Sequence, residues 1–107
     1  MRESTYFILA ALQEGPLHGY AILQRVSQLS TGQVSLATGT LYTALERLTG
    51  SGHIRLVDEQ IVNGRARRSY ELTSDGGAAL TEQADRLASA ARVVTERRAT
   101  RAAVRPA

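Results

Sequence analysis

The chain has no cysteine, no tryptophan and no lysine among its 107 residues. Without cysteine there are no disulfides, no thiolate metal sites and no cysteine nucleophile. Without lysine, all 13 basic residues are arginine, the side chain that holds phosphate in a bidentate fork. An all-arginine, alanine-rich chain is also what a GC-rich genome encodes, so the positions of the arginines must carry the argument, not their number. No apolar run approaches the ~20 residues of a membrane span. Arg2 and Glu3 lead straight into a short apolar stretch, unlike a signal peptide. A cytoplasmic protein without membrane contact is expected.

Catalytic patterns are missing too. The "GSG" at residues 50–52 falls between a helix and a strand, not in the strand–loop–helix context of a phosphate-cradling loop. There is no G-x-S-x-G nucleophile elbow, and the acidic residues are scattered. His18 and His53 form no HExxH pair, so capping or structural roles outweigh metal ligation. The chain is not expected to be an enzyme or to hold a metal or cofactor.

A composition 43% hydrophobic and 21% charged is that of a globular protein, and the length suits one domain. Charge is uneven. Residues 1–60 carry four arginines against five acids, residues 61–85 three against four, and residues 86–107 six against Glu96 alone.

Glu3 to Glu14 reads as a helix that is apolar nearly all round, stopped by Gly15-Pro16. A second helix is expected from about Leu17 to Leu29, with Ile22, Val26 and Leu29 in a buried stripe. Ser30-Thr31-Gly32 signals a turn. A third helix near Thr38–Thr49 gathers Leu41, Ala44, Leu45 and Leu48 on one face. Gly39, Tyr42, Thr43 and Glu46 lie opposite, with Thr40 and Arg47 on the flank.

After Gly50-Ser51-Gly52, two short strands fit. In the first, Ile54, Leu56 and Asp58 are expected to face one way; in the second, Arg68, Tyr70 and Leu72 alternate with Arg67, Ser69 and Glu71. Asn-Gly between them suits a hairpin turn. Thr73 looks like the N-cap of a last helix, with Asp75 in its first turn and Gly76 and Gly77 weakening it. Along that helix Leu80, Ala84, Leu87, Ala91 and Val94 recur at 4, 3, 4, 3, a coiled-coil-like seam.

The fold class is therefore mainly α with a small two-stranded β wing. A winged helix-turn-helix is expected over residues 1–73, a long dimerisation helix over 74–100, and a basic, frayed tail over 101–107.

Three stretches, "GPLHGYAI", "GTLYTALERLTGSGHI" and "GRARRSYELTSDG", occur in this order with characteristic gaps. Together they resemble successive signatures of the PadR family of bacterial transcriptional regulators, over about residues 4 to 95. The short C-terminus resembles that family's subgroup with a single final helix. The resemblance implies a homodimer that binds operator DNA and represses. It also implies that the third helix enters the major groove, the hairpin lies along phosphates, and the first and last helices form the dimer.

Carried over by position, Thr38, Thr40, Tyr42, Thr43 and Arg47 belong to the recognition helix, and Arg65, Arg67 and Arg68 to the wing. Gly19, Leu41, Leu45, Leu48, Gly52 and Ile54 look structural. Two positions depart from the pattern. Ala37 stands where a capping Ser or Asn is common, so Thr38 is expected to cap, and the Gly-rich "LTGSGH" is expected to end the helix early.

The residues suit these roles. Threonine methyls contact thymine and hydroxyls serve either base class. Strand alternation puts Arg65 and Arg67 on one side, toward phosphate, and leaves Arg68 to cover the core edge or bond to the protein. His18 and Tyr20 open the second helix; Tyr20 either touches phosphate or packs behind the recognition helix.

A first helix apolar all round and a long last helix exceed what the rest of the chain can cover, so a second copy is expected to share them. In the short subgroup the dimer interface can leave a pocket for planar or lipophilic effectors. Its walls here would be Tyr6, Phe7, Ala10, Leu80, Ala84, Leu87 and Ala91. The function expected is a ligand-responsive repressor acting as a homodimer on a palindromic operator. The alternative is a winged-helix module for protein contact, or for nonspecific nucleic-acid binding through the arginine-rich tail.

Overall fold

The computed structural model describes residues 1–104, with 102–104 described by backbone only. The order is α1 (Glu3–Ala11), β1 (Leu17–His18), α2 (Gly19–Leu29), α3 (Thr38–Gly50), β2 (Ile54–Val62), β3 (Arg65–Leu72) and α4 (Ser74–Val104). This is a winged helix-turn-helix followed by one long helix.

The wing differs from expectation in its strand count. It is three-stranded and antiparallel, in the order β1-β3-β2. Leu17 and His18 pair with Tyr70 and Ser69, and this pairing delays the start of α2 from Leu17 to Gly19. His18 then caps α2, its Nδ1 accepting from the Ala21 N–H at 3.3 Å. Helix α1 likewise stops at Ala11, three residues before Glu14. The amides of Leu12 and Gln13 bond back only three residues, to Leu9 and Ala10, which closes the helix with a tightened turn.

Between α2 and α3, Ser30 is buried and its hydroxyl accepts from the Val34 amide at 2.9 Å. Helix α3 begins with Ala37, not Thr38, in the capping position and with no side-chain cap. Its glycine-rich end does not shorten it, and it continues to Gly50.

Asn63 and Gly64 both take positive φ, 51° and 76°, as a two-residue hairpin turn of this twist requires. The register then pairs Val62 with Arg65, Ile61 with Ala66, Gln60 with Arg67 and Glu59 with Arg68. A bulge between Leu56 and Asp58 leaves Val57 unpaired. Asp58 therefore pairs with Ser69 and leaves the face shared by Ile54 and Leu56, contrary to simple alternation.

The core joins Ile8, Leu9 and Leu12 of the α1 region, Ile22 and Val26 of α2, Leu41, Leu45 and Leu48 of α3, and Ile54, Tyr70 and Leu80. Helix α1 packs on both α2 and α4. Thr73 caps α4, accepting from the Gly76 amide at 3.0 Å and donating to the Gly52 carbonyl at 2.6 Å. From Asp85 to Arg101 every α4 residue is exposed. The helix stands away from the body, giving a long axis of 70 Å and a radius of gyration of 17.9 Å, against about 13 Å for a compact chain of this length. The tail expected to fray from 101 is helical to Val104; residues 105–107 lie outside the described residues.

Candidate nucleic-acid interface

The buried leucines of α3 fix which side of that helix faces water. With Leu41, Leu45 and Leu48 inside, Thr38, Thr40, Tyr42 and Thr43 are all exposed. Arg47 is exposed too, but its guanidinium donates to Thr5 Oγ1 at 3.1 Å, which ties it to α1. Thr5 is buried and was not visible as a partner in the sequence, 42 positions away.

On the wing, register decides the three arginines. Arg65 and Arg67 share the face of Val62 and Gln60, and Arg68 lies on the opposite face beside Glu59. Arg68 Nε reaches Glu59 Oε1 at 3.3 Å. The bond and charge of Glu59 hold the Arg68 guanidinium above its ordinary pKa. Arg68 is thus bonded within the protein. Glu59 was readable in principle, because counting back from the Asn63-Gly64 turn sets it opposite Arg68. Nearer the body, Arg55 pairs with Glu71.

His18, Gly19, Tyr20, Tyr42, Val62, Ala66 and the three wing arginines line one open groove of about 320 Å³. The start of α2, Tyr42 of α3 and the wing meet there. His18 is committed to its cap through Nδ1, which makes Nε2–H the donor of its neutral ring. Tyr20 is 65% exposed, so it does not pack behind the recognition helix.

The model of the transcriptional regulator PadR-like family matches residues 8–82. The chain belongs to that family. The transcriptional regulator Rv3488 of Mycobacterium tuberculosis is 38% identical over 87 residues, covering 81% of this chain and 78% of that protein. Among solved structures, Bacillus subtilis PadR in complex with operator DNA is 28% identical. It superposes with a TM-score of 0.67, over 77% of this chain and 46% of that one. A PadR family regulator from Clostridium difficile R20291, 22% identical, shares the fold with a TM-score of 0.73, over 89% and 97% of the two chains. This PadR-like chain is therefore a transcriptional regulator and not an enzyme.

The PadR-like fold has a second cleft, about 300 Å³, between α1 and α4. Tyr6, Phe7 and Leu87 line it with Met1, Glu3 and Gln83. Tyr6 and Phe7 meet edge to face at 5.4 Å. Leu80 is not in this cleft, being part of the core, and Ala10 packs against the core. Ala84 is half-buried and Ala91 exposed, and neither lines it. Among the described residues no helix is long and apolar enough to cross a membrane, and no cluster of His, Asp or Glu could hold a metal.

Tyr70 sits where the wing meets the core. Burial pushes its hydroxyl above the ordinary tyrosine value, and Arg68 offsets part of that shift. A raised phenol pKa favours the neutral form in the folded state. Its contribution is fully present below pH ~10 and is lost as pH rises through the folded value. The difference between the ultraviolet titrations of wild type and Tyr70→Phe should isolate a phenol ionising above pH ~10. A difference curve centred below that would contradict the burial argument.

Proposed function

We propose that this PadR-like regulator binds double-stranded operator DNA as a homodimer on a palindromic site, and that it represses. The observation that carries this reading is the convergence of three elements on one groove: the start of α2, Tyr42 of α3, and Arg65, Arg67 and Arg68 of the wing. A groove-reading helix needs hydrogen-bonding side chains that do not repel phosphate, and the first turns of α3 carry no acid. Thr38, Thr40, Tyr42 and Thr43 read bases; Arg65 and Arg67 hold the backbone. The B. subtilis PadR, which shares this fold, was solved in complex with operator DNA, and this supports DNA as the partner.

The dimer reading rests on α4. A lone helix standing in water with Leu87, Val93 and Val94 47%, 51% and 65% exposed leaves an apolar surface uncovered. Pairing α1 and α4 with a second copy covers it and spaces two recognition helices by about 34 Å, one turn of DNA. The Tyr6–Phe7–Leu87 cleft beside that surface would take a small apolar or aromatic effector whose binding releases DNA.

The deciding experiment is a titration against the protein's own upstream region at two salt concentrations, beside a scrambled duplex. Tight, salt-sensitive binding with a preference of about 10³ or more is expected. Equal, weak binding to both duplexes would instead favour a nonspecific or protein-contact module. Arg67→Ala should weaken binding to every sequence alike and reduce the log–log salt slope by ~0.9 for each protomer on the DNA, about 1.8 for the homodimer. A changed base preference with the slope intact would overturn the backbone role.

A further inference from the structure

The three atoms nearest to a Cβ built on Gly19 all belong to one residue: Tyr42 Oη at 2.9 Å, Cζ at 3.2 Å and Cε1 at 3.4 Å. Gly19 is buried, opens α2, and does not have a positive φ. Backbone conformation therefore does not require glycine here; the tyrosine ring does. Tyr42 is itself 43% exposed on α3 and lines the groove with Arg65, Arg67 and Arg68.

We propose that Gly19 is a positioning residue for DNA readout: its bare Cα seats the Tyr42 ring against the start of α2 and so sets where the Tyr42 hydroxyl stands in the groove. An exposed helical tyrosine without such a seat samples several χ1 and χ2 wells. Seating the ring selects one, and its ordering cost is met on folding instead of on binding DNA. The seat also joins α2 to the reading face of α3, so that the two helices approach DNA as one rigid surface. This inference rests on the DNA-binding reading above.

A purely structural role for Gly19 predicts something different. If the glycine served only close helix packing, Gly19→Ala would lose stability. The clash, however, falls on the far end of a mobile, half-exposed side chain, and alanine is the better helix former. Gly19→Ala is therefore expected to fold with a melting temperature equal to or above wild type, while the Tyr42 ring swings off its seat.

The test compares operator binding and melting temperature for full-length wild type, Gly19→Ala, Tyr42→Ala and the double variant. Gly19→Ala should lose operator affinity about 5- to 100-fold for each half-site, the worth of one good groove contact. The double variant should bind no worse than Tyr42→Ala, because both changes remove the same contact. Wild-type affinity in Gly19→Ala, losses that add in the double variant, or a melting temperature that falls in step with affinity would each overturn the proposal. If wild type itself shows no preference for operator over scrambled duplex, the DNA-binding reading fails and this inference with it, a pattern distinct from failure of the variant alone.

Discussion

Gly76→Ala is expected to destabilise the fold by about 1–3 kcal/mol, while Gly77→Ala, one residue on, is expected to stabilise it by up to about 1 kcal/mol. Both glycines lie in the first turn of α4, and by propensity alone both would simply weaken it. The tertiary environment separates them. A Cβ on Gly76 would fall inside the van der Waals envelope of the His53 carbonyl, 2.8 Å from its carbon, and 2.9 Å from Leu72 Cδ1. The backbone carbonyl cannot step aside without disturbing the start of β2, where the Thr73 amide bonds to that same His53 oxygen at 3.1 Å. A Cβ on Gly77 meets only Leu72 Cδ2 at 3.8 Å, an ordinary contact. Urea unfolding at one fixed protomer concentration measures both, since the proposed dimerisation would make apparent stability concentration-dependent. Equal effects of the two substitutions would mean that α4 does not dock on β2 this closely.

Leu87→Arg is expected to convert the proposed dimer to monomer and to lower operator affinity by about 10²–10⁴-fold, the avidity that linking two half-site readers supplies. Leu87 lies mid-seam on α4, is 47% exposed in the single chain, and takes no part in the winged-helix core. The substitution should therefore leave each protomer folded. Buried between two copies, the arginine would be desolvated without a partner, which an apolar interface does not tolerate. Sedimentation equilibrium and operator titration read the two consequences separately. The same variant should also lose any apolar ligand that wild type binds in the Tyr6–Phe7 cleft, because Leu87 is one of its walls. A Leu87→Arg protein that remains dimeric would remove α4 from the interface. A monomeric one that binds operator as tightly as wild type would remove the need for two half-sites.

Apart from β1, the element order was readable as patterns of near neighbours, and so were the leucine face of α3, the Asn-Gly hairpin and the Thr73 cap. Helical and strand periodicities are local, and capping and turn chemistry act within about four residues. The same locality makes Arg65 and Arg67 a pair and sets Arg68 apart in the sequence alone. With the three PadR-like signatures, that was enough for the family and its fold.

What remained illegible depended on contacts between distant residues. A two-residue strand such as Leu17–His18 has no period to detect; it exists because Tyr70 and Ser69 lie beside it. The bulge after Leu56 moves Asp58 off the face that alternation assigned to it, a one-residue change that inverts every side chain beyond it. That Arg47, an expected recognition-helix residue, also bonds to Thr5 of α1 at 3.1 Å could not be read across 42 positions. The different fates of Gly19, Gly76 and Gly77 follow the same rule. Their sequence context reports only a missing side chain, and it takes the packing of α2 against α3, and of α4 against His53 and Leu72, to show which of them must stay bare.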